Sequence, residues 1–460
     1  MEMDAPRITN QPERPIKAET PANLVFSLLL LVLGAYAVRV QLERAFIALE
    51  IYRSHAFTPP PIEPNESKLH WCIANAQFYW DFSAIRVARE RRLKLLNPEL
   101  KPLVSEIARR QAAGEGMQYS MHLYRQIRWR LNFTPDLDAT RADIADLRQS
   151  LGQPELQQQA AQQQSSDGSW GLGINVWYLR LYYSVEDGLK STGPPPQYPL
   201  KFLDRINAPA KLNQQLDSDL HDDFTPTGIF NREELDETFS ALARLLYGHK
   251  QTGYAFDPAL AGALRQFVAR WQNPQTGFWG QWVIDRQGRT WKMDDMAMTF
   301  HVVSDLLGEV DHRQMIAKRL LQLDKVNFPA GIRFDGEYEN YLNMDVVKIF
   351  RMTWPDLDEP TRAQARAEIS RMLDWCLTKS LQKDGSFKVT ELDDTTGDAF
   401  SYGVSFLTEA GYFKHADRFW TDQDFPESNA IRERIEAKLK TIGLSDPGMK
   451  GAFEQLQASE

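Results

Sequence analysis

Residues 267–301 read Phe267-Val-Ala-Arg-Trp-Gln-Asn-Pro-Gln-Thr-Gly-Phe-Trp-Gly-Gln-Trp282, then a polar connection, then Met293-Asp-Asp-Met-Ala-Met-Thr-Phe-His301. An apolar helix ends at Trp271, a Gly/aromatic turn follows at 277–279, and two carboxylates, Asp294 and Asp295, open a second apolar helix. Gly331 opens Gly-Ile-Arg-Phe and Gly385 opens Gly-Ser-Phe, each 54 residues after the previous glycine. Weaker copies stand upstream at Gly228-Ile-Phe and Gly168-Ser-Trp. A fixed period of this length is the mark of a repeat architecture, in which each unit buries its apolar face against the next.

The helices that follow the turns, over 233–247, 294–307, 343–352 and 398–410, carry near-continuous apolar surfaces. Those between them, over 258–271, 312–323, 360–377 and 427–439, carry one apolar stripe and many charges. Buried helices alternating with half-exposed ones predict an all-α chain folded as an α/α toroid of helical hairpins, with clear repeats over 160–440. An open superhelix is the competing arrangement.

The N-terminal part reads differently. Residues 1–21 are polar and proline-containing, as in a disordered tail. Residues 22–39 include Leu28-Leu-Leu-Leu-Val-Leu33 without a charge, which predicts a single-pass transmembrane helix and a membrane location. Basic residues flank it equally on both sides, so its orientation stays open. Residues 40–67 then read as a juxtamembrane helix and a proline-rich linker, and 68–460 as the toroid domain. A net charge of −9 with both signs interspersed argues against nucleic acid as a partner. Cys72 and Cys376 permit at most one disulfide and read as apolar fillers.

Three of the turns have a glutamine ahead of them: Gln164 before Gly168-Ser-Trp170, Gln272 before Gly277-Phe-Trp279, and Gln382 before Gly385-Ser-Phe387. The amide can bind exposed backbone ends while the aromatic covers the hairpin. This pattern resembles the Gln/Trp repeat of the terpenoid cyclase and protein prenyltransferase α/α-toroid superfamily, as in squalene-hopene cyclases. The resemblance implies a toroid acting on an isoprenoid or other lipid by acid catalysis. It also implies a proton donor in an Asp-x-Asp-Asp element, whose nearest counterpart is Glu391-Leu-Asp393-Asp394. Asp393 would then be the acid, tuned by Glu391 and Asp394. A polar loop capping the next helix through Asp398 explains the same residues.

Asp294 and Asp295 are a second candidate acid pair, or else acids favourable to a helix start. A third constellation places Tyr341, Asn343 and Asp345 at one helix start, His301 in the preceding inner helix and Tyr402 in the next. Such a polar and aromatic mouth suits a glycan lyase, epimerase or glycosidase. A non-catalytic scaffold is the remaining class. The eight histidines show no ligand spacing and Cys376 falls on an outer helix, so neither a metal nor a cofactor is expected. Closure of a ring would gather the candidates at one rim.

Overall fold

In a computed structural model, the described residues are 21–134, 136–159, 163–189, 196–223, 232–247, 253–390, 392–393, 395–444 and 446–459; the side chains of residues 21–37 and of positions 112, 158, 187 and 447 lie outside the description. The chain is mostly helical, 65% helix against 5% strand. The N-terminal helices are α1 (Pro21–Ser54), α2 (Lys68–Ala112), α3 (Gln118–Phe133), α4 (Leu137–Ser150) and α5 (Pro154–Gln159). After them come α6 (Trp177–Tyr183), α7 (Pro209–Leu220), α8 (Arg232–Tyr247), α9 (Leu260–Trp271), α10 (Met296–Asp305) and α11 (Arg313–Gln322). The last are α12 (Asn340–Thr353), α13 (Glu359–Trp375), α14 (Thr396–Glu409), α15 (Ser428–Ile442) and α16 (Pro447–Ala458).

The even-numbered helices from α6 to α16 pack in succession, each against the next, while α7, α9, α11 and α13 lie against their partners and each other. One continuous core runs from Trp170 to Leu456, and a second, smaller core joins α2, α3 and α4 through Leu96, Ile127 and Leu147. Inner α10 and α12 are buried along most of their length, whereas α13 buries only a stripe that includes Ala365, Ile369 and Met372. The expected difference between buried and half-exposed helices is therefore present.

The turns work as hydrogen-bonded corners. Gln272 Nε2 donates to Gly277 O at 2.8 Å and to Asp311 O at 3.0 Å, tying the turn to the start of the next outer helix. Gln164 does the same to Gly168 O at 2.7 Å and Tyr198 O at 3.0 Å. Gly277 and Gly385 have φ of +77° and +88°, which a residue with a Cβ adopts only at a cost. Gly331 differs: its φ is not positive, and it is small because Val326 O would stand 2.3 Å from a Cβ. Gly228 lies outside the described residues.

A four-stranded sheet, absent from the sequence expectation, clips the N-terminal segment onto this cassette. Its order is β1 (Phe57–Thr58), β4 (Thr290–Met293), β3 (Trp282–Ile284) and β2 (His221–Asp223). The strands are two to four residues long, too short for an alternating pattern to register. Phe78 of α2 stacks on Trp291 of β4, with centroids 3.7 Å apart, and seals the joint.

The membrane anchor expected over 22–39, with the membrane partner and location built on it, does not stand. Among the described residues no helix is long and apolar enough to cross a membrane. The C-terminal half of α1 pairs with α2 and carries Arg39, Glu43, Arg44, Glu50 and Arg53, and Arg44 is held by Trp80 O at 2.9 Å. Charges committed to a helical partner are costly in hydrocarbon.

Candidate functional site

The inner helices are not apolar throughout. On α8, Arg232, Asp236, Ser240 and Arg244 recur every fourth residue and form one polar stripe. Arg232 grips Asp295, the N-cap of α10, through Nε to Oδ2 and through Nη2 to Oδ1 at 2.9 Å. The same Nη2 lies 3.9 Å from Asp236 Oδ2, and the guanidinium sits 5.1 Å above the ring of Phe328. Farther down, Asp305 of α10 accepts from Ser240 Oγ at 2.7 Å and pairs with Arg244 at 3.4 Å.

Across from α8, helix α12 presents Tyr341 and Asp345. Asp345 is wholly buried, and neither carboxyl oxygen has a hydrogen-bond partner. Burial pushes this acid well above the usual carboxylate range; Lys348 opposes the shift and Asp236 adds to it. Asp236 is also pushed well above that range, first by burial and then by Asp295, Glu237 and Asp305, against Arg232. The charge of Asp236 on α8 thus reaches Asp345 on α12, although α9, α10 and α11 separate the two helices in the chain. Tyr341 meets Tyr402 of α14 edge-on at 4.9 Å and Phe328 at 6.5 Å.

Tyr341, His301, Glu233 and Glu237 are half-buried, and burial is the largest cause of each pKa shift, upward for Tyr341, Glu233 and Glu237 and downward for His301. A separate surface cleft of about 310 Å³ lies between α9 and the α10–α11 turn, beside Gln272 and Trp279; its Arg265 and Glu309 pair with each other at 2.9 Å.

The sequence candidates divide. Asp295, His301, Tyr341, Asp345 and Tyr402 lie on, or at the start of, the successively packed helices α10, α12 and α14. Asp295 serves there as a helix cap, accepting from Met298 N at 3.1 Å, and as the partner of Arg232. Asp294 points elsewhere: it takes Arg319 Nε at 2.7 Å and Thr276 Oγ1 at 2.8 Å, joining the turn to outer helix α11. Asp393 accepts from Thr390 N at 2.7 Å and Thr390 Oγ1 at 3.0 Å within its own loop. Asp398 completes a capping box with Thr395 at the start of α14. Asn343 is wholly buried, with neither amide atom partnered. Asp394 and Glu391 lie outside the described residues.

Comparison with protein-family models, with curated proteins and with solved structures finds no match for this chain.

Sequence reasoning missed Arg232, Asp236, Glu237 and Lys348. Their signal was the four-residue spacing of polar groups on helices whose other faces are apolar. Among the described residues no group of three or more His, Cys, Asp or Glu side chains could hold a metal ion.

Proposed function

We propose that the helical hairpins close into an α/α toroid and that its interior is the site of an enzyme cleaving a C–O bond in a neutral, hydroxyl-bearing substrate, of glycan type. The succession of packed helices from α6 to α16 and the effect of the Asp236 charge on Asp345 support closure. The single observation that carries the chemistry is Asp345: a wholly buried carboxyl with no hydrogen bond to its oxygens. Such a group stays protonated near neutral pH and can donate.

Asp345 gives its proton to the leaving oxygen as the C–O bond breaks, and the leaving group departs as an alcohol. Of the two raised acids, Asp236 is the one beside Arg232, which opposes its shift, and it is the base of the pair. It takes a proton from water, whose oxygen adds to the carbon, and the two carboxyls exchange their proton through solvent to reset. A purely hydrocarbon ligand would desolvate Arg232, Asp236, Asp345 and Lys348 without returning a hydrogen bond.

A second reading keeps the same acid and takes an isoprenoid alcohol. The aromatic surfaces of Phe328, Tyr341 and Tyr402 beside Asp345 favour it, because ring faces stabilise a developing carbocation. The test is turnover of a panel of aryl glycosides, neutral oligosaccharides and prenyl alcohols by the full chain and by Asp345→Asn. Loss of at least about a hundredfold in rate with an unchanged fold supports the acid assignment. Full activity in Asp345→Asn removes it, and turnover of prenyl alcohols alone selects the second reading. No turnover of any of them leaves a binding scaffold.

A further inference from the structure

On the α6–α8–α10 side of the same interior, three more polar atoms from three inner helices stand buried without hydrogen-bond partners. They are Tyr178 OH, Glu237 Oε2 and His301 Nδ1. Tyr178 is wholly buried. The other carboxylate oxygen of Glu237 accepts from Arg125 Nη2 of α3 at 3.0 Å, which fixes the side chain. His301 Nδ1 is 4.0 Å from Asp305 Oδ2, beyond hydrogen-bond reach. A folded protein rarely leaves three such atoms on adjoining helices unmatched.

We propose that Tyr178, Glu237 and His301 form a hydroxyl-binding subsite beside the acid pair, so that the interior selects a substrate of at least two linked polyhydroxylated units. The chemistry of the three atoms fits that class. A phenol can donate or accept, a carboxylate oxygen accepts from hydroxyls, and a neutral imidazole nitrogen does either according to its tautomer. Burial keeps His301 neutral, lowering its pKa against the pull of Asp305 and Glu237. The cations that act on these groups are already committed, Arg125 to Glu237, Arg244 to Glu186 and Asp305, and Arg232 to Asp295, so the subsite suits a neutral sugar and not a phosphate or carboxylate. The distribution of charge also separates two tasks. Asp236 faces α12 and the bond to be broken, whereas Glu237, one residue on and turned by about 100° around the helix, faces α3 and α10.

This inference rests on the interior being the substrate site, and binding separates it from catalysis. The experiment measures dissociation constants of neutral oligosaccharides of one to four units for full-length Asp345→Asn by calorimetry. The same titrations follow with Glu237→Gln, Tyr178→Phe and His301→Gln added singly. The expected result is at least tenfold tighter binding of two units than of one, with that gain lost in the Glu237→Gln and Tyr178→Phe backgrounds while one-unit binding changes less than twofold. Thermal melting within a few degrees of the parent checks the fold, and His301→Gln, which keeps a hydrogen-bonding side chain, should retain part of the gain. Equal affinity for one and two units, a gain untouched by all three substitutions, or no binding of any oligosaccharide would overturn the subsite. Normal turnover by Asp345→Asn together with an intact length dependence would sink the acid assignment alone.

Discussion

Arg232 of α8 holds the N-cap of α10, Asp295, by two hydrogen bonds, with Nη2 2.9 Å from Oδ1 and both side chains out of solvent. One arginine thereby links α8 to α10, and its Nη2 also lies 3.9 Å from Asp236 Oδ2.

Breaking that pair should be costly. Arg232→Met leaves Asp295 as an uncompensated buried charge and should reduce stability by about 3–5 kcal/mol in chemical denaturation. Arg232→Met combined with Asp295→Asn should recover at least half of the loss. Strict additivity of the two single effects would show that they do not act as a pair.

Asp294, although adjacent in sequence, should behave as a structural residue. Asp294→Asn weakens the link to Arg319 and Thr276, and a loss of about 1–3 kcal/mol is expected. Activity on any substrate found should remain within a few-fold of the parent. A loss as large as that of Asp345→Asn would return Asp294 to the reacting centre.

The turn glutamines should differ among themselves. Gln272 is buried and serves two carbonyls, so Gln272→Ala should cost about 2–4 kcal/mol. Gln382 is exposed and donates to Ser380 O at 2.8 Å, so Gln382→Ala should cost under about 1 kcal/mol. Equal effects would contradict the role assigned to the corner.

Gly385 combines a positive φ of +88° with a Cβ position only 2.4 Å from Arg434 O of α15. Gly385→Ala should destabilise by about 2–4 kcal/mol through both effects, read as a shift in denaturation midpoint. A midpoint within error of the parent would mean that α15 moves freely away from the turn.

Asp219, at the end of α7, gives a pH prediction. Burial raises its pKa to about 7 from an ordinary 3.8, with Glu234 adding to the shift and Gln215 opposing it. The folded form therefore keeps a proton that the unfolded chain gives up, so the contribution to stability is full below pH 3.8 and falls away as pH rises toward about 7. Asp219→Asn should flatten the stability curve over that window by on the order of 3 kcal/mol. A slope unchanged between pH 4 and 7 would assign the titration elsewhere.

The helical hairpins were legible because their cause is local. The ends of α8, α9, α10, α11, α13 and α14 fall within two residues of positions read from apolar periodicity, with α12 starting three residues early and α15 ending three residues late. Two of the three glutamine corners were legible too, since Gln164 and Gln272 each donate to the carbonyl of the turn glycine, whereas Gln382 donates to Ser380 O. The short sheet was not, because strands of two to four residues carry no period, and β1 pairs with β4 across more than two hundred residues.

The sequence by itself determined where the chain turns, which helices are buried, and that acids cluster at helix starts. It could not rank those acids, because capping, ion pairing and catalysis all place a carboxylate at the same helical position. Only the tertiary structure separated Asp294, tied to an outer helix, from Asp345, shut in an interior without a partner. The difference is one of solvation: a carboxyl's chemistry follows from the groups and the water around it, and those are brought together by packing between distant helices.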